Sequence, residues 1–127
     1  MYLAQGNSES ATEHYEEAAH YAAKTDDANL QGLIQFNIGN LFADAGLYLE
    51  ALDRYKSAER FFANSPLSNA IARQTNSLSA IGQMYLFSGQ KDSALIAFYK
   101  GLELIELAEN RELKILLMQN LSVFIAK

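Results

Sequence analysis

Apolar residues recur along this chain at intervals of three and four, the spacing of one face of an α-helix. Leu30, Ile34, Ile38, Leu41, Phe42 and Ala45 form one such stripe, and Ala51, Leu52, Tyr55, Ala58 and Phe62 form the next, after a glycine at 46. No sustained alternation bounded by turns occurs, so strands are not expected. Gly46 and Gly89 fall just past periodic stretches, where a left-handed residue closes a helix without a Cβ clash, and Gly6 takes the same place earlier. Ser65-Pro66 reads as an N-cap followed by proline at the first helical position, and Thr25-Asp26-Asp27 supplies a cap with acids at the positive end of a helix dipole. The pattern predicts helices over 9–24, 27–45, 48–63, 66–88, 91–109 and 111–126, with a stub before Gly6.

The stripes repeat. A forward shift of 43 residues carries Ile38, Gly39, Phe42, Gly46, Ala51, Leu52, Tyr55 and Ala58 onto Ile81, Gly82, Tyr85, Gly89, Ala94, Leu95, Phe98 and Gly101. A backward shift of 40 carries Phe42, Gly46, Ala51, Tyr55 and Ala58 onto Tyr2, Gly6, Ala11, Tyr15 and Ala18. Forward from Gly82 by 40 lies Ser122, with Met118, Leu121 and Ile125 at the offsets of Leu78, Ile81 and Tyr85. Periods of this length mark stacked two-helix units. The units run over about 1–26 (partial), 27–65, 66–110 and 111–127 (partial) within one domain.

Gly39 and Gly82 lie inside helices, where glycine costs about 1 kcal/mol relative to alanine. Close helix contact offsets that cost. Ala51 and Ala94 remove bulk on the facing helix, and Tyr55 and Phe98 one turn later fill the space beside them.

Composition adds exclusions. Half of the 127 residues are apolar and one fifth charged, which describes a globular domain, and a chain this short leaves little room for a second one. No apolar run approaches the ~20 residues of a membrane span, and no signal-peptide pattern opens the chain. Without cysteine there is no disulfide framework, thiolate metal site or thiol nucleophile, a usage compatible with a cytoplasmic location. The net charge of −5 comes from the front, where residues 1–30 hold six acids against Lys24 alone. The basic stripe of a nucleic-acid binder is missing, so no direct nucleic-acid contact is expected.

Catalytic chemistry finds no foothold. His14 and His20 are six residues apart, about 120° off a common helix face, which is not the spacing of a zinc-binding histidine pair. Glu13, Glu16 and Glu17 read as a solvated acidic face, and no phosphate loop or grouping of nucleophile and base can be built from spacing. Tyr15, Tyr55 and Tyr85 fall at core positions. The chain is therefore expected to be no enzyme and to carry no cofactor or metal.

The run Phe36-Asn37-Ile38-Gly39-Asn40-Leu41-Phe42, followed by Gly46, Ala51, Tyr55 and Ala58, resembles the tetratricopeptide repeat, and so do Leu78, Ile81, Gly82, Tyr85, Gly89, Ala94, Phe98 and Gly101. Gly101 stands where that family usually has alanine, and the proline that usually ends a unit has no counterpart except Pro66. The units exceed the family's ~34 residues by six and nine, about one extra turn per helix. Such long units are similar to repeat modules of bacterial regulators and sensor kinases. The resemblance implies an all-α, α-α superhelix: a solenoid of antiparallel hairpins whose first helices line a concave groove.

Carried onto this sequence, the groove positions are Leu33, Phe36, Asn40, Ala43 and Asp44 in one unit and Asn76, Ser79, Gln83, Leu86 and Phe87 in the next, with Gln119 and Val123 continuing the row. Family members that clasp a C-terminal carboxylate use cationic and amide donors there; only Asn40 fits, so a segment with apolar anchors is the expected ligand. Long neighbouring helices covering Leu33, Phe36, Leu86 and Phe87 would leave no groove.

A solenoid's terminal units need polar caps. None is present: the chain opens at Tyr2-Leu3-Ala4 and its last stripe, Leu117, Leu121, Phe124 and Ile125, lacks a following partner. Either the segment belongs to a longer protein or open faces pair between copies through the C-terminal helix. The reading is an interaction scaffold, a module of a larger regulatory or signalling protein, with a small-molecule sensor or a self-assembly module as alternatives.

Overall fold

The computed structural model describes residues 4–67 and 69–126, with side chains over 9–67, 69–112 and 115–119. Five helices follow one another: α1 (Ala4–Ala22), α2 (Ala28–Asp44), α3 (Tyr48–Ala63), α4 (Ala70–Phe87) and α5 (Lys91–Ala126). Among the described residues there is no strand. Each helix packs on its neighbours in the chain, and α2 also touches α4 directly.

The turn after α2 and the turn after α4 are copies. Gly46 and Gly89 adopt φ of 78° and 79°. In the first turn Gly46 N–H donates to Ala43 O (3.0 Å) and Leu47 N–H to Phe42 O (2.9 Å); in the second Gly89 N–H donates to Leu86 O (3.0 Å) and Gln90 N–H to Tyr85 O (2.8 Å). This paired closure satisfies carbonyls that a helix end leaves open, and it requires a left-handed residue at the glycine. The repetition read from the residues is thus repeated bond for bond.

The helix seams follow the small-and-large pairing. A Cβ on Gly39 would lie 2.7 Å from the Tyr55 ring, and one on Gly82 would lie closer still to the Phe98 ring. Gly32 makes a third such seam with Phe62 (2.6 Å), which the repeat pattern does not indicate. One core cluster gathers Ala51, Leu52 and Tyr55 of α3 with Leu78, Ile81 and Met84 of α4 and Ala97 of α5. A smaller one gathers Ala22, Ile34 and Ile38 between α1 and α2. The α3 stripe is buried throughout, whereas Leu30 and Ala45 at the ends of the α2 stripe are exposed and Tyr15 and Tyr85 are half-buried.

Three expected boundaries are corrected. The helix expected at 9–24 begins at Ala4 and runs through Gly6, so Gly6 closes no helix; one glycine costs a helix only about 1 kcal/mol, and nothing after it turns the chain back. The helix expected from Pro66 begins at Ala70. The Ser65 hydroxyl accepts from Leu67 N–H (3.3 Å), two residues on, which folds a local turn in place of a helix cap. The break expected between 109 and 111 is absent: α5 is one 36-residue helix, about 54 Å long at 1.5 Å per residue. Asn110 stands there among strong helix formers, and without glycine or proline its weak propensity costs only a few tenths of a kcal/mol. The 27–45 expectation holds as α2, with Asp27 accepting from Leu30 N–H (3.0 Å) as its cap.

Candidate functional site

Spacing of three and four sets Leu33, Phe36, Asn40, Ala43 and Asp44 on one face of α2 and Asn76, Ser79, Gln83, Leu86 and Phe87 on one face of α4. Because α2 and α4 touch, the two rows belong to neighbouring helices. Asn40, Asp44, Asn76, Ser79 and Gln83 are exposed. Leu86 and Phe87 are 48% and 62% exposed, large apolar side chains among polar neighbours. Leu33, Phe36 and Ala43 are half-buried, and Phe36 packs on the core with its ring 5.1 Å from that of Tyr55. Gln119 is exposed on the far half of α5, on the continuation of that helix and not on a separate first helix. The side chain of Val123, with those of Leu121, Phe124 and Ile125, lies outside the described residues, as do Tyr2 and Leu3.

Asn40 is engaged within the chain. The Tyr55 hydroxyl donates to Asn40 Oδ1 at 2.5 Å. Burial of the phenol, and secondarily the negative charge of Asp44, pushes the Tyr55 pKa from 10.0 up to about 12, so the hydroxyl keeps its proton as donor. In the second hairpin Gln83 and Phe98 replace this pair, and Gln83 is exposed.

Two features of this surface went unsignalled. Tyr48 at the start of α3 stacks on Phe87 with ring centroids 5.0 Å apart, bringing the cap residue Leu47 and the first-turn residue Leu49, both exposed, beside the end of α4. The run Leu47-Tyr48-Leu49 directly after a turn glycine was the available clue. A cavity of about 850 Å³ also opens between the α3–α4 connection and the middle of α5, with Phe62, Pro66, Ile71 and Ile105 among its apolar walls and Glu109 and Arg111 at its rim.

Arg54 of α3 ties the first three helices together. Its guanidinium donates to Glu16 of α1 (2.7 Å) and Gln35 of α2 (3.1 Å) and lies over the Phe42 ring at 5.9 Å. Glu16 is thus partly structural, while His14 Nδ1 donates locally to the Ser10 carbonyl (2.8 Å). Among the described residues no group of three His, Cys, Asp or Glu side chains could hold a metal ion, and no helix is long and apolar enough to cross a membrane. No family model, no curated protein and no solved structure matches this chain.

Proposed function

We propose that the chain is a protein-interaction scaffold of tetratricopeptide type, binding a segment with apolar anchors on the face formed by α2 and α4. The observation that carries this reading is the exposed pair Leu86 and Phe87, set beside a polar row that continues onto the touching helix. Apolar anchors surrounded by amide and hydroxyl groups suit a peptide whose side chains insert while its backbone finds hydrogen bonds. Exposed apolar area of this sort marks contact surfaces more often than chance. The duplicated turns and glycine–aromatic seams support a stack of like hairpins, and a module of a larger regulatory or signalling protein in the cytoplasm is the setting that suits it. A small-molecule sensor is the second reading, favoured by the cavity of about 850 Å³ beside α5.

The test is a peptide-array screen run beside a thermal-shift screen of metabolites. Peptides with apolar anchors bind, and Phe87→Ser weakens them at least ~tenfold, as loss of a central anchor does. Saturable binding of a small ligand with no peptide binding would reverse the choice.

A further inference from the structure

The second helix of each hairpin carries the same face to different surroundings. On α3, Leu52 is buried against α4, Lys56 lies over the Tyr85 ring at 5.3 Å, and Glu59 accepts from Gln74 Nε2 at 2.7 Å. The positions 43 residues on, in α5, are Leu95, Tyr99 and Leu102. All three are apolar, and they are 45%, 62% and 59% exposed. A face that on α3 receives the following helix, partly through polar contacts, is on α5 aliphatic or aromatic at these three positions, and all three are exposed.

The same stripe continues along α5. Beyond Glu106 and Asn110 the three-and-four spacing runs through Leu113, Leu117, Leu121 and Phe124 in the sequence, and Leu117 is exposed. Because α5 is one uninterrupted helix, its far half does not fold back over its near half. The two halves are therefore complementary only between molecules.

We infer that α5 pairs antiparallel with α5 of a second copy of this chain, about a two-fold axis near Asn110. In this register Leu102 stands opposite Leu117 of the second copy and Leu95 opposite its position 124, so each bare near half is covered by a far half. The axis falls at the middle of the helix, and one surface serves both copies, as an isologous contact requires. Leu95, Tyr99, Leu102 and Leu117 on this stripe, 45–66% exposed, offer on the order of 500 Å² per chain, more than half of the ~800 Å² one partner brings to a standard interface. The pairing uses α5 and leaves the α2–α4 face free, so it stands or falls independently of peptide binding.

Sedimentation of the 127-residue chain over a wide concentration range tests it, together with single-cysteine variants, which the cysteine-free sequence makes clean. The chain dimerises; Tyr99→Glu and Leu102→Glu each raise the dissociation constant at least ~tenfold while helix content stays unchanged. Under oxidation Asn110→Cys cross-links to itself across the axis. Tyr99→Cys does not, because its two copies lie about 30 Å apart at 1.5 Å per residue. A monomer at every concentration, a dimer indifferent to both glutamate variants, or self-cross-linking of Tyr99→Cys but not Asn110→Cys would overturn the inference.

Discussion

The α2–α3 hairpin and the α4–α5 hairpin are built on one plan and differ in how they are covered. Their turns share the same hydrogen bonds, and each sets a glycine of the first helix against an aromatic of the second. Leu52 is 7% exposed and its counterpart Leu95 is 45% exposed. The difference lies in the neighbours: α3 is enclosed by α2 and α4, whereas among the described residues α5 packs on α4 alone. Local sequence therefore determines the hairpin, and the stacking of the next element determines which of its apolar positions become core.

The largest effect in this comparison belongs to the seams. Gly39→Leu would drive a side chain into the Tyr55 ring, already 2.7 Å from a bare Cβ, and should exceed the usual 1–3 kcal/mol (approximate range) of overpacking. Gly82→Leu should do the same against Phe98. Chemical denaturation followed by circular dichroism measures both, and an unchanged midpoint for either would break the equivalence of the hairpins.

Next comes the contrast in burial. Leu52→Ala should cost about 2–5 kcal/mol, as buried leucine truncations do, and Leu95→Ala under about 1 kcal/mol when the chain is dilute enough to be monomeric. Equal losses would mean that α5 is covered on its outer face after all.

The Tyr55–Asn40 bond distinguishes the hairpins chemically. Below pH 10 the phenol is protonated in both folded and unfolded chains, and its burial has no pH-dependent cost. Between pH 10 and about 12 the unfolded chain releases this proton first, so stability falls as pH rises. That single group accounts for about 2–3 kcal/mol across the window by linkage. Tyr55→Phe should remove this part of the alkaline loss while costing about 1 kcal/mol at neutral pH. Asn40→Ala should cost a similar ~1 kcal/mol through the same bond, beyond its effect on partner recognition. A Tyr55→Phe profile parallel to that of the parent chain would contradict the assignment.

The smallest effect concerns Gly101. A Cβ there would meet Thr75 Cγ2 at 3.6 Å, an ordinary contact, so Gly101→Ala should stabilise by about 0.5–1 kcal/mol. A thermal melt with a lowered midpoint would show that the second hairpin is tighter at this point than its packing indicates.

Much of the fold was legible because its determinants are local. Gly46 and Gly89 could be assigned to left-handed turns from position alone, and the spacing of Gly39 to Tyr55 and Gly82 to Phe98 named the seams. The errors came where local signals compete with what surrounds them. Ser65-Pro66 has the residues of a helix start and folds a turn four residues early. Asn110 looked like a boundary, but without a glycine nothing overcomes the propensity of the residues flanking it. Gly32 was invisible because its partner Phe62 sits outside the repeated set.

The candidate face was legible only in part. The residue types along α2 and α4 could be read, and so could their sharing of a face. Whether a side chain on it was free could not. Phe36 is held by the core and Asn40 by Tyr55, contacts that depend on a second helix, whereas Leu86 stays half exposed and Phe87 stays more than half exposed even with the Tyr48 ring beside it.

The central claim, that one seam has been used twice, is tested most directly by a pair of double-mutant cycles. One joins Gly39→Ala with Tyr55→Ala, the other Gly82→Ala with Phe98→Ala, each followed by denaturation. The account predicts that removing the ring relieves the penalty of the added methyl in both cycles, with couplings of the same sign and each within about 0.5–3 kcal/mol. Additive effects in either cycle, or couplings of opposite sign, would contradict it.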